Sequence, residues 1–178
     1  MKAKVIHIKQ WIIKTLLVIG LGFMSVLSYA QGDPTDTIPG DPGGISVYWV
    51  QDMSFGAFSH GASGGTVAIS NSGIRSVTGD VVALNLGTLY FQSIFDIDGP
   101  QGCIISIQNG SDATLTGSNG GTMSMHIGDA DPASPFIITV TQPARTQVSF
   151  GGTLTVGTPA ANPPGIYTGT FYITFNQE

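Results

Sequence analysis

The strongest constraint on the fold is an alternation of side-chain types near the carboxyl end of the sequence. Every second residue from 167 to 175 is aromatic, aliphatic or glycine, and the intervening residues are threonines and one tyrosine: Tyr167, Gly169, Phe171, Ile173 and Phe175 against Thr168, Thr170, Tyr172 and Thr174. Successive side chains of a β-strand point to opposite faces, so this segment predicts a strand with one apolar and one hydroxylated face. Residues 151–157 predict a second strand, and the proline-rich residues 158–165 join the two as a β-arch or a long hairpin.

Glycine, proline and asparagine divide the rest of the sequence into short strand-like runs. No window shows apolar residues at helical spacing behind a capped start. Short apolar runs between turn residues are typical of antiparallel β-sandwiches. We predict one all-β domain over residues 45–178, with a glycine-rich turn at 60–65 and further strands at 45–51, 66–70, 81–86, 89–97, 103–108, 113–116, 122–127, 136–141 and 146–150.

The first thirty residues have the pattern of a secretory signal peptide. A basic start is followed by an uncharged apolar run at 15–26, and small residues occupy the two inspected positions of Ser28-Tyr29-Ala30. The run is shorter than the roughly 20 residues that a transmembrane helix needs, so we favour cleavage after Ala30 over a retained anchor. Residues 31–44 carry three prolines, four glycines and three aspartates, which predicts a flexible exposed arm.

Charge excludes several classes of partner. All the lysines lie in the predicted signal peptide, so the exported chain has two arginines against eleven acidic residues, a formal charge of 2 − 11 = −9. Such a surface repels nucleic acid and anionic lipid, and we expect neither nucleic acid nor membrane as a partner after signal removal. The absence of lysine also excludes Schiff-base chemistry and a phosphate-binding P-loop.

The sequence contains no convincing catalytic constellation. Ser63 lies in a formal G-x-S-x-G match, but the residues after it predict a strand where a nucleophile elbow requires a helix. His60 and His126 have no orienting partner that the sequence reveals. Asp96 and Asp98 begin a pattern similar to a calcium loop, yet the glutamate expected at its twelfth position is missing. We predict a non-enzymatic protein without cofactor or metal.

Cys103 is the single cysteine of the sequence, so no disulfide can form within one chain. It alternates with Ile105 and Ile107, and this parity predicts a small buried residue rather than a reactive thiol.

Several stretches resemble a secreted bacterial domain family of unknown function. Residues 52–58 (DMSFGAF) and 64–70 (GGTVAIS) look like the opening of that family, and residues 72–79 (SGIRSVTG) resemble its GxRxxTG segment. Residues 151–157 (GGTLTVG) and 164–175 (PGIYTGTFYITF) resemble its ending. That ending is also similar to spore-coat-U-like and archaic chaperone–usher pilin subunits.

The resemblance to pilins implies an immunoglobulin-like sandwich that lacks its final strand. In such proteins a periplasmic chaperone fills the open groove until the amino-terminal extension of another subunit replaces it. The resemblance thus implies a secreted structural subunit of a surface filament or coat in a Gram-negative bacterium. Its partners would be a periplasmic chaperone and other copies or related pilin-like subunits. Only three residues follow Phe175, which suits a missing strand. The acceptor groove would be lined by Tyr167, Phe171, Ile173 and Phe175.

The donor strand of such a subunit is less clearly defined by the sequence. Ile45, Val47 and Trp49 alternate and are the donor candidates, because residues 31–44 contain one aliphatic side chain, Ile38. The same residues can instead form the first strand of the domain itself, the interpretation we favour, and the protein would then cap a filament or act alone. The alternative function is a monomeric surface binding module: a calcium-dependent adhesin, or a glycan-binding domain that uses Tyr48, Trp49, Tyr90 and Tyr172.

Overall fold

The protein is an antiparallel β-sandwich. The computed structural model describes residues 44–178 together with the backbone of one strand at residues 4–6, and no helix occurs among these residues. Every ladder between named strands is antiparallel. The prediction of an all-β sandwich is therefore confirmed. The strands are β1 (Lys4–Ile6), β2 (Ser46–Gln51), β3 (Phe58–Ile69), β4 (Arg75–Ala83), β5 (Ser93–Asp98), β6 (Ile104–Asn109), β7 (Ala113–Gly117), β8 (Thr122–Asp131), β9 (Phe136–Ile137), β10 (Thr146–Val156), β11 (Tyr167–Thr168) and β12 (Ile173–Gln177).

Two sheets enclose the core. The smaller has the order β1-β12-β6-β9 and the larger the order β11-β7-β8-β10-β3-β4, with β5 beside the first half of β10 and β2 outside β5. Phe95 and Phe150 of the larger sheet contact each other edge to face, with ring centroids 5.7 Å apart. Both also contact Phe175 of the smaller sheet edge to face, at centroid distances of 5.8 and 6.1 Å. This aromatic triad joins the two layers at the centre of the core. None of the described residues forms a helix of the length and apolar character needed to cross a membrane.

The alternation near the carboxyl end is preserved, but the segment is not one strand. Tyr167 and Thr168 pair with β7 in the larger sheet, whereas residues 173–177 pair with β6 in the smaller sheet. The chain changes sheets between them, next to Gly169, whose added Cβ would lie 2.6 Å from the carbonyl oxygen of Thr114. The connector 158–165 joins β10 to β11, which lie in the same sheet without being neighbours, so it is neither the hairpin nor the β-arch that the sequence predicts.

The predicted turn at residues 60–65 is wrong. These residues lie within β3, where a register shift between His60 and Gly65 interrupts the ladder to β4. Gly65 has a φ of +156°, and a Cβ there would lie 2.1 Å from the carbonyl oxygen of Thr78. Glycine is needed at this point because two strands approach each other closely. Glycine is also common in turns, which is why the sequence predicts a turn here.

Other strand boundaries differ from the prediction. The two predicted runs at 146–150 and 151–157 form the single long strand β10, which exchanges one neighbour for another along its length. The predicted strands at 81–86 and 89–97 are replaced by the end of β4, an irregular loop at 84–92, and β5. The run at 136–141 is a strand only over Phe136–Ile137.

Most of the predicted signal peptide and the predicted arm up to residue 43 lie outside the described residues. The exception is β1, which falls inside the predicted signal peptide and pairs with the outer edge of β12, Lys4 opposite Phe175 and Ile6 opposite Ile173. This edge of β12 is thus capable of accepting an antiparallel strand. Removal of residues 1–30 would take away the strand that occupies it here.

Candidate functional site

An apolar cleft of about 860 Å³ lies beside the carboxy-terminal segment of the domain. Residues 49–58, from the end of β2 to the start of β3, form one wall. Residues 162–169 and Phe171 form the other. Leu115, Met123, Met125 and Leu154, buried side chains of the three adjacent strands β7, β8 and β10, form its floor. The cleft therefore reaches into the sandwich core, and its rim is completed by the loop residues Leu84, Leu86, Thr88 and Phe91.

The first wall and the rim are held together by Arg75. Its guanidinium group donates to the backbone carbonyl oxygens of Phe55 and Ala57 in the wall, at 3.3 and 3.2 Å, and of Leu84 in the rim, at 3.4 Å. The same group lies over the ring of Tyr90, 4.3 Å from its centroid. A guanidinium carries five donors in a planar fork, so it can donate to several backbone carbonyls at once.

The second wall is held by Asn162, which is 2% exposed. Its side-chain oxygen accepts a hydrogen bond from the Gly157 N–H at the end of β10. Its side-chain nitrogen donates to the carbonyl oxygen of Thr122 on β8, at 2.6 Å. His60 adds a link from β3, because its Nε2 lies 3.0 Å from the backbone oxygen of Asn162. The connector 158–165 is thereby fixed over the cleft despite its lack of regular structure.

The four predicted acceptor residues divide into two pairs. Tyr167 and Phe171 are partly buried and line the cleft. Ile173 and Phe175 are 3% and 2% exposed and belong to the core, with Phe175 in the aromatic triad. Their side chains share the odd-numbered face of Tyr167 and Phe171. Ile173 and Phe175, however, lie in β12, which belongs to the smaller sheet.

The three predicted donor residues lie in the first strand of this domain and the residue before it. Ile45 is 6% exposed and belongs to the core, and Val47 packs against that core. Trp49 is 41% exposed and lines the cleft. Residues 46–51 pair with β5 of the same chain. In this structure the segment is therefore the first strand of the domain itself.

Part of the backbone between β11 and β12 has no hydrogen-bonding partner among the described residues. Among the described residues, no hydrogen bond is found for the backbone of Gly169, Thr170 or Phe171. These residues adjoin the cleft and lead directly into β12, whose outer edge is paired with β1. An unpaired backbone edge beside an apolar surface is a template for an added strand.

The candidate glycan-stacking aromatics do not form one platform. Tyr48 has the Arg145 guanidinium 3.6 Å from its ring centroid, and Tyr90 is covered by Arg75. Trp49 lines the cleft, whereas Tyr172 lies where the chain enters β12. Of the four, Trp49 is the aromatic that faces a cavity large enough for a ligand.

The remaining polar groups of the described chain offer little for catalysis or metal binding. His126 is exposed, and its Nδ1 lies 2.8 Å from a carboxylate oxygen of Asp112 on the surface. Ser63 lies within β3, with no helix after it. Within residues 4–6 and 44–178, no group of three or more histidine, cysteine or acidic side chains is placed to hold a metal ion. Cys103 is a free, half-buried thiol, and burial raises its pKa.

Sequence reasoning missed the roles of Arg75 and Asn162. In the sequence, Arg75 is one residue of a motif and Asn162 is one residue of a proline-rich connector. One signal was available for the first, since Arg75 is one of two cations outside the predicted signal peptide. No local signal marks Asn162, because its side-chain partner on β8 lies 40 residues away.

The fold and the cleft define a β-sandwich domain with an open apolar groove between its first strand and its carboxy-terminal segment. A model of the family described as "Domain of unknown function (DUF4402)" matches residues 45–176. The chain therefore belongs to this family, and the predicted likeness to a domain family of unknown function is confirmed. Neither the curated proteins nor the solved structures include a match to the chain.

Proposed function

We propose that the protein is a secreted, non-catalytic structural subunit, pilin-like, of a surface filament or coat, and that it assembles by accepting a β-strand in the apolar cleft. The proposal rests chiefly on the backbone of residues 169–171 along that cleft, for which no hydrogen bond to another described residue is found. A strand added there would gain main-chain hydrogen bonds from the edge and bury alternate side chains on the apolar floor. Neither gain requires a catalytic residue.

The carboxy-terminal segment supplies the geometry that such a strand needs. The outer edge of β12 accepts β1 in antiparallel register. Once β1 is removed, an added strand can pair with this edge and extend along residues 169–171. Opposite residues of neighbouring strands place their side chains on the same face. Residues of an added strand opposite Phe171, Ile173 and Phe175 would therefore point inward, towards the cleft and the core.

The proposed setting is the exterior of the inner membrane. Export by the leader would place the domain in the periplasm, on the cell surface or outside a Gram-negative cell. An open apolar edge is prone to aggregation, so a periplasmic chaperone would occupy it before assembly with other copies or related pilin-like subunits. An acidic chain with a formal charge of −9 beyond residue 30 would stay dispersed while the edge is covered.

The test uses the fluorescence of Trp49, the one tryptophan outside the predicted signal peptide. Exported protein, its amino terminus established by mass spectrometry, is titrated with a ten-residue peptide of alternating valine and threonine. Because Trp49 lines the cleft and is 41% exposed, occupation of the cleft should shift its emission to the blue. A peptide with serine in place of valine should leave the emission unchanged.

Two matched variants test whether the peptide binds in the cleft. Phe171→Asp puts a charge on the cleft wall and should abolish binding, whereas Ile137→Asp alters an exposed side chain of β9 and should not. Ile173→Asp is a poorer test because Ile173 is buried in the core and the variant would unfold. Equal binding by both aspartate variants, or no response to any alternating apolar peptide, would remove strand acceptance from the model.

The position of Trp49 favours one alternative, a monomeric module that binds a glycan in the same cleft. Stacking of a sugar ring on an exposed indole would also change its fluorescence. The two functions separate in the same titration, because an oligosaccharide and not the valine peptide would then give a saturable response. A calcium-dependent adhesin would instead require the melting temperature to fall on addition of a chelator.

A further inference from the structure

We infer that this chain, once residues 1–30 are removed, accepts a strand but does not supply one, so the strand in its cleft comes from a different polypeptide. The inference rests on the proposed function, and it specifies the partner. A subunit that both accepted and donated would polymerise with itself. One that only accepts forms a complex with a single donor chain and ends an assembly.

The first observation is the place of β2. Five residues of β2 are in register with β5 of the same chain, from Ser46 opposite Asp98 to Gln51 opposite Ile94. Ile45, just before β2, is buried in the core, and an added Cβ on Gly99 would lie 2.9 Å from its side chain. Donating residues 45–51 to a second copy would break this ladder and expose these apolar side chains. The segment is therefore committed to its own domain.

The second observation is the composition of the segment before β2. A donor strand needs apolar side chains at every second position, because only one face of it meets the cleft. Residues 31–44 hold one aliphatic side chain, Ile38, among three prolines and four glycines. Proline removes the N–H that a ladder requires, so no part of this segment can pair along its length with an acceptor edge.

The cleft then specifies the donor. The donor strand runs antiparallel to β12, as β1 does. It carries apolar residues opposite Phe175, Ile173 and Phe171, and a fourth apolar residue opposite Gly169, which lines the cleft and lies against Leu115 of its floor. Apart from Asp52 and His60, the lining carries no acidic or basic side chain, so we expect the inward face of the donor to be apolar along most of its length.

The decisive experiment compares two peptides on exported protein. One is a designed strand with valine at three alternate positions and leucine at the fourth; the other copies residues 31–51 of this chain. We expect the designed strand to bind with one-to-one stoichiometry by Trp49 fluorescence. The 31–51 peptide, made with Trp49→Phe so that it adds no tryptophan emission, should bind at least 100-fold more weakly, and the protein alone should remain monomeric in light scattering as its concentration is raised.

A covalent lock tests the commitment of β2 directly. Tyr48 and Asp96 are opposite residues of β2 and β5, so Tyr48→Cys with Asp96→Cys, in a Cys103→Ser background, should form a disulfide that holds β2 in its own domain. The locked protein should bind the designed strand within twofold of the unlocked, reduced protein. The reduced form controls for loss of the Tyr48 and Asp96 side chains.

The possible results distinguish the acceptor-only inference from the proposed strand acceptance on which it rests. Tight binding of the 31–51 peptide, or self-association of the unlocked protein that the lock abolishes, would overturn the acceptor-only inference and leave strand acceptance intact. Failure of the designed strand to bind would overturn both. Binding of the designed strand alone, unaffected by the lock, supports a heterologous donor.

Discussion

The guanidinium group of Arg75 lies 4.3 Å from the ring centroid of Tyr90 and joins two segments that are separate in sequence. From β4 it reaches the carbonyl oxygens of Phe55 and Ala57 on the cleft wall and of Leu84 on the rim. This explains physically why an arginine occupies the centre of the SGIRSVTG stretch. A residue remote from the cleft floor fixes the shape of the cleft entrance.

Replacing Arg75 by alanine should destabilise the protein by about 3 kcal/mol, because three backbone carbonyls lose a charged donor. Arg75→Lys should recover only part of this loss, since an ammonium cannot reproduce the planar fork. Chemical unfolding followed by Trp49 fluorescence measures both. The matched control is Arg145→Ala, which removes only the stacking on Tyr48 and should cost about 1 kcal/mol or less. Equal losses at the two arginines would contradict the assigned role of Arg75.

Asn162→Ala should cost about 2–3 kcal/mol, because the buried N–H of Gly157 and the carbonyl of Thr122 each lose their side-chain partner. The connector should also become more mobile, which amide hydrogen exchange at residues 158–165 would record. Asn119→Ala is the control: its side chain donates to the Pro164 carbonyl oxygen from an exposed position. A larger effect at Asn119 than at Asn162 would show that the buried amide does not hold the connector.

Gly151→Ala should destabilise the fold by about 3 kcal/mol, because the new Cβ would lie 2.3 Å from the carbonyl oxygen of Ile69. The comparison is Gly87→Ala, where φ is +79° but no atom lies within 4 Å. An alanine there is disfavoured only by the left-handed backbone conformation, which should lower the free energy of unfolding by about 1–2 kcal/mol. Urea unfolding of both variants separates the two causes. A smaller loss at Gly151 than at Gly87 would contradict the close approach of β10 to the end of β3.

Burial raises the pKa of the Cys103 thiol. The folded state therefore holds this proton more tightly than the unfolded chain does. The resulting contribution to stability is present below the ordinary thiol pKa and is lost as the pH rises through the folded value. At pH 8, iodoacetamide should react more slowly with the folded protein than with the same protein in urea, since the thiolate is the nucleophile. Equal rates would contradict a sheltered thiol, and Cys103→Ser gives the unlabelled baseline.

Two of the four residues predicted to line a groove lie at the cleft and two lie in the core, for a physical reason. The odd-numbered face of residues 167–175 was predicted correctly, because side-chain parity is set by the strand backbone itself. The sequence did not reveal that this face passes from one sheet to another at Gly169, so Tyr167 and Phe171 line a cleft while Ile173 and Phe175 fill the core. The change of sheet depends on pairing with β7 and β6, which lie more than 50 residues earlier in the chain.

The sequence by itself determined the class of the fold and the inward face of its strands, since both follow from periodicity, turn residues and the absence of helical patterns. Tertiary structure decided which strands are neighbours, that the glycine-rich residues 60–65 form part of β3 and not a turn, and that Arg75 and Asn162 fix the two walls of the cleft. Periodicity specifies the direction of a side chain relative to its own backbone. It carries no information about the distant carbonyl or edge that the side chain or the strand will meet.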